Sequence, residues 1–275
     1  MAKISDQDRI TYHEKIKAYL IMTESLLKSE ASLLLQIKKN PPDAALKKLA
    51  LVDEMLNLVS SYIAVNGVSM AVLKIKNEEA LNDGRKAMYK AVIYLEDIVS
   101  NFIDTAFSEY DEKLAEIESF DQNQRYLLVR KMGLTIDMLQ FAYGDNSKWR
   151  WTFVDIEGRF ATVTKNILDL RNALANSSSN SPFYESTVYH LRLAKELLTR
   201  AASRYRDKYE LSTQQVLDFK MGIQFLSALK RLHIVLAESD EAEDIKKKLA
   251  IWSTKLDSDI KKQEEEGKKR KQQIS

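Results

Sequence analysis

The stretch Lys148 to Ala175 constrains the fold more than any other part of this chain. Read in steps of four and three, it places Trp149, Phe153, Ile156, Phe160, Val163, Ile167, Leu170 and Leu174 on one line. All eight are apolar, and that spacing is the period of a helix face. A second line carries Trp151, Val154, Gly158, Ala161 and Leu168, interrupted by Lys165. A helix that is apolar on two sides needs contacts on two sides, so this segment is expected at the centre of a helical assembly. A rival reading exists for 148–164. Trp149, Trp151 and Phe153 alternate with Arg150 and Thr152, and Glu157-Gly158 can turn a β-hairpin back into Arg159–Thr164, a composition strands favour. The helical period continues past any such hairpin, which favours helix.

The rest of the chain repeats the helical pattern. Three prolines and seven glycines in 275 residues are few, and an all-α fold explains that economy. Residues 6–39 read as a long first helix with Leu20, Leu27 and Leu34 spaced by seven, ended by Asn40-Pro41-Pro42, since a residue preceding proline is pushed out of the helical region. The next helix carries Leu49, Val52, Leu56, Val59 and Ile63, with Asn66-Gly67 as its expected C-terminal cap. A shorter piece ends at Asn82-Asp83-Gly84, and 85–118 reads as another long helix. Asp121 with Gln124, and Ser212 with Gln215, have the spacing of capping boxes. Tyr143 to Ser147 is the expected turn into the central segment, and Ser239 the cap of the last helix.

The fold expectation is therefore all-α: an antiparallel multi-helix bundle or irregular helical array of about eight or nine helices. Residues 1–175 form the bundle and 176–181, Asn-Ser-Ser-Ser-Asn-Ser, the linker. Residues 182–262 form a hairpin-like C-terminal part packed on the first, and 263–275 a charged, disordered tail.

Catalytic signals are weak. There is no cysteine, which removes disulfides, thiolate nucleophiles and thiolate metal sites. His13, His190 and His233 are isolated, with no second ligand at helical spacing. Neither phosphate-cradling glycine loop is present, nor the Gly-x-Ser-x-Gly elbow. No metal, cofactor or catalytic residue is therefore assigned. The expectation is a non-enzymatic cytoplasmic protein, lacking an apolar leader and any long uninterrupted apolar run.

Two features suggest binding. Trp151 with Arg150 and Arg159 resembles the Trp–Arg pairing of interaction hot spots. Arg200 and Arg204 share a helix face one turn apart in a basic, aromatic run. The tail adds Lys268, Lys269, Arg270 and Lys271, so that residues 246–275 carry a net charge of +5 and the remainder −3. The leading reading is a helical scaffold or adaptor that binds protein partners through exposed helix faces, with self-association open. One alternative is a binder of anionic surfaces (RNA, DNA or membrane) through the tail and the arginine-rich helix. Another is an enzyme with an unrecognised site.

Overall fold

A computed structural model describes residues 4–104, 107–144 and 148–274, except for the side chains of 107, 108, 110, 111 and 266–274. Asp145 to Ser147, the end of the expected turn, lie outside the described residues. Ten α-helices and no strand occur among the described residues. They are α1 (Asp6–Ile37), α2 (Ala44–Val72), α3 (Glu78–Val99), α4 (Phe107–Ala115) and α5 (Gln122–Tyr143). Then come α6 (Arg150–Asn166), α7 (Leu170–Asn176), α8 (Tyr184–Lys208), α9 (Val216–Val235) and α10 (Ser239–Ile274). The all-α expectation holds, and the chain forms a packed helical array. The segment 148–164 is helical, not a hairpin.

The chain divides into two compact units: Met1–Asn101 with Thr105–Thr187, and Phe102–Asp104 with Val188–Ser275. The boundary falls inside α8, and residues 177–181 of the Ser/Asn run form turns within the first unit, after Asn176 ends α7.

In the first unit α2 packs against α1, α3 and α5, and α3 also meets α4, α5 and α6. α2 is buried on several sides, at Leu51, Val52, Met55, Leu56 and Val59 among others. By length and composition it is apolar enough to cross a membrane, which a core helix satisfies equally. Its end differs from the Asn66-Gly67 expectation. The Asn66 side chain is buried and accepts a hydrogen bond from the Asn77 N–H (2.9 Å), so α2 runs on to Val72. The reversal comes at Lys74, with φ of +58°. Asn77 then caps α3 by accepting from the Ala80 N–H, which puts Asn82-Asp83-Gly84 inside that helix.

The expected helix 85–118 is broken at Ser100, whose φ of +84° is incompatible with continuation. The Asp121–Gln124 capping box opens α5 as expected, with both reciprocal hydrogen bonds formed. α6 carries the central seam, and Phe153, Ile156, Phe160, Val163 and Ile167 are all buried. Leu170 continues the seam across a break in the helix and is also buried. Asp169 accepts from the Asn172 N–H and starts α7 as a separate helix, leaving Leu174 exposed. Gly133 on α5 lets Phe160 approach, because a Cβ there would lie 3.2 Å from the Phe160 ring.

The second unit is built on aromatics. Tyr205 stacks on Phe225 (5.6 Å) and Tyr209 on Phe219 (5.0 Å), while Phe219 leans on Trp252 (5.7 Å). Gly222 permits α8 and α9 to touch, since a Cβ there would sit 3.0 Å from the Ala202 carbonyl oxygen. Ser212–Gln215 is not a capping box. A π-helical turn, Tyr209–Thr213, extends α8, Gln214 turns left-handed (φ +50°), and Gln215 caps α9 without a side-chain bond. Asp218 holds this turn by accepting from Lys208 (2.7 Å) and Thr213 (2.6 Å). α10 continues helically through the charged tail to Ile274.

Candidate functional site

The candidates chosen from sequence fall into three environments. Arg150 at the start of α6 is exposed, and its guanidinium lies 4.9 Å from the centre of the half-buried Trp151 ring. This is the expected cation–π pair, open on one side. The neighbouring Trp149 receives Arg85 at 4.2 Å and Lys148 at 5.4 Å, with Tyr143 edge-on at 6.5 Å.

Arg159 does not join them. It reaches across to α3 and makes a bidentate ion pair with the buried Glu96, one arm at 2.8 Å. Those hydrogen bonds raise its pKa further above an already high value. Arg159 belongs to a polar seam between α3 and α6. One turn earlier the Tyr89 hydroxyl donates to Asp155 (3.2 Å), and beyond it the Asn166 amide donates to the Ser100 carbonyl (2.9 Å). Burial, reinforced by Asp155, pushes the Tyr89 phenol up to about 12.

Arg200 and Arg204 are half-buried in α8, in the other unit. The basic run around them is largely committed internally. Lys195 donates to Glu238 (2.6 Å), Lys208 to Asp218, and Arg206 lies 5.0 Å over Trp252 while donating to Glu210 (3.0 Å). The same Glu238 meets His233 Nδ1 at 2.6 Å. Burial pushes the Glu238 carboxyl up, but hydrogen bonds from Lys195 and His233 outweigh it and hold it below the ordinary range. Lys268 to Lys271 lie on the last turns of α10, where only the backbone is described.

Two of the cavities lined by described residues lie in the first unit. One, of about 430 Å³, is lined by Glu118, Asp121, Arg125, Asp169 and Arg171 among others. Its buried Arg125 is a structural clamp, donating to the carbonyls of Phe120 (2.8 Å) and Ile117 (3.2 Å). The other, of about 490 Å³, is mainly apolar, walled by Leu46, Leu49, Phe120, Leu127 and Leu128, with Asp53 and Lys131 at its edge. Lys131 is tied there to Asp53 (2.5 Å) and Asn57 (2.9 Å). Among the described residues, no three His, Asp or Glu side chains converge as metal ligands would.

Many exposed large apolar side chains were not among the sequence candidates. On α5 they are Leu127 (57%), Leu134 (56%), Met138 (51%) and Phe141 (88%), opposite the buried Leu128, Met132, Ile136 and Leu139. On α1 they include Ile10, Leu20, Ile21, Leu27 and Leu35. The signal was present as a second apolar line on each helix, but a line alone does not say which side the chain itself covers.

No curated protein and no solved structure matches the chain. A family model does match, over residues 8–260. That span covers both units and all the features above except the basic tail, and on it the chain belongs to the TP0443 family.

Proposed function

We propose that this chain is a non-enzymatic protein-binding module that docks amphipathic helices of partner proteins on an exposed helix face. The observation that carries the reading is the outer side of α1. Leu20 and Leu27, the residues of the seven-residue pattern, are exposed, and Leu35 extends them along the same helix. Burying one such side chain is worth roughly 1.5–3 kcal/mol, and exposed apolar side chains gathered on one helix face are a feature of interaction sites. The exposed Glu24–Lys28 ion pair (2.6 Å) lies among these leucines on the same helix. Arg150 on Trp151 supplies a second, smaller anchor of the kind found in hot spots. The anionic-surface reading draws less support, because much of the basic run in α8 is engaged within its own unit.

The test is affinity capture at low and high salt with full-length protein and a Leu20→Gln/Leu27→Gln/Leu35→Gln variant. Each captured protein is then rebound in purified form. The reading predicts partners that survive high salt, bind directly, and are lost with the triple variant at unchanged helicity. It is contradicted if binding follows salt alone, or if the pure protein turns over a substrate at a rate one side-chain change abolishes.

A further inference from the structure

The cavity of about 430 Å³ has in its wall a cation without an anionic partner. Arg125 lines it and is only 5% exposed. Its Nε and Nη2 groups donate to the carbonyls of Phe120 and Ile117, and it forms no ion pair among the described residues. Those bonds use two of the five N–H donors of a guanidinium and bring no negative charge. An arginine is seldom this buried unless paired. Asp169 and Asp121 line the same cavity, and their fields favour the Arg125 charge against the burial that disfavours it. Neither carboxylate closes on it, because each is held as a helix cap. Asp169 accepts from the Asn172 N–H (3.2 Å) and side-chain amide (2.8 Å), and Asp121 from the Gln124 N–H (2.9 Å). The wall also includes Leu114 and the half-buried Phe183.

We infer that this cavity binds a free α-amino acid with an apolar side chain. Each of the three chemical parts of such a molecule has its counterpart in the wall. The carboxylate pairs with the remaining N–H groups of Arg125, an acceptor that suits the planar guanidinium. The ammonium, one carbon away, pairs with Asp169, whose oxygens keep lone pairs beyond those the cap uses. The side chain lies against Leu114 and Phe183. A simple anion fits poorly, since Glu118, Asp121 and Asp169 share the wall with Arg125 and Arg171, and Arg171 is already engaged within the chain. A simple amine leaves Arg125 unpaired. A ligand carrying both signs satisfies both. A cavity of about 150 Å³ already accepts benzene, so one of about 430 Å³ takes a leucine or phenylalanine with its head group. The two carbonyls fix the guanidinium before the ligand arrives, which lowers the cost of ordering it. The site shares no residue with the α1 row, so it stands or falls independently of the partner docking proposed above.

The experiment is isothermal titration calorimetry on the full chain with L-leucine and L-phenylalanine. Three analogues each lack one part: L-leucinamide the carboxylate, N-acetyl-L-leucine the ammonium, and glycine the side chain. Both amino acids should bind at a single site per chain, and each analogue should bind about tenfold more weakly or worse. Inorganic phosphate should not compete. Asp169→Asn keeps a good helix cap while removing the charge, and should weaken L-leucine about tenfold at unchanged melting. Phe183→Ala should weaken L-phenylalanine several-fold. The analogues probe the unaltered protein, so the inference can fail even if neither variant folds. No binding of either amino acid at millimolar concentration overturns it. So does an analogue that binds as tightly as its parent, phosphate that competes, or a folded Asp169→Asn or Phe183→Ala variant that binds as wild type does.

Discussion

α5 and α6 are neighbours, and each is apolar on two sides. α6 is covered on both: every residue from Phe160 to Leu168 is buried. α5 is covered on one, and its outer row of Leu127, Leu134, Met138 and Phe141 faces solvent. The two helices look alike in amphipathic terms but serve different purposes. The second face of α6 is buried within the fold, whereas the second face of α5 is left in solvent. An apolar line thus predicts that a face will be covered without saying by what.

The largest effect that sharpens this contrast is expected from Phe160→Ala. It removes a fully buried ring wedged against Gly133 and should cost about 3–5 kcal/mol in chemical denaturation. A loss below about 1 kcal/mol would show that α6 is not the closed face described. Next comes Glu96→Ala, which strips the partner from Arg159 in the α3–α6 seam. The expected loss is about 1–3 kcal/mol, and restoring a neutral acceptor with Glu96→Gln should recover part of it.

The same seam predicts a high-pH effect. Burial raises the Tyr89 phenol to about 12, above its ordinary value of 10, and also raises Tyr62 and Tyr143. The folded state then keeps protons that the unfolded state loses, so this contribution is intact below pH 10 and disappears as pH rises towards 12. Tyrosinate absorbance should show a late-titrating class, reduced by Tyr89→Phe. A titration with all phenols near 10 would contradict the burial. The smallest effect belongs to the other side of the comparison. Phe141→Ala should change stability by no more than about 0.5 kcal/mol.

Much of the fold was legible in the sequence, because a helical period sustained from Trp149 to Ile167 has no alternative that buries it equally well. What was not legible lay at breaks and partners. Asn66-Gly67 has the composition of a cap, yet Asn66 is spent on the Asn77 backbone and the helix continues. Ser212 and Gln215 have capping-box spacing, yet a π-helical turn held by Asp218 takes their place. Arg159 reads as a surface contact until Glu96, 63 residues away, is brought to it. Each is decided by a long-range or off-pattern hydrogen bond, which local spacing does not encode. The candidate site was legible only in part. Arg150 and Trp151 pair as expected, but the α5 row was hidden because its inner and outer lines have the same period.

The chain contains no cysteine, so a single introduced thiol reports on one position alone. The decisive measurement is the rate of thiol labelling in Ala161→Cys on α6 and, separately, in Leu134→Cys on α5, in the folded protein. Ala161 is fully buried, whereas Leu134 is 56% exposed. The account predicts labelling of Leu134→Cys at the rate of a free thiol, and of Ala161→Cys only through unfolding. Equal rates at the two positions would contradict a helix α6 covered on both faces beside a helix α5 covered on one.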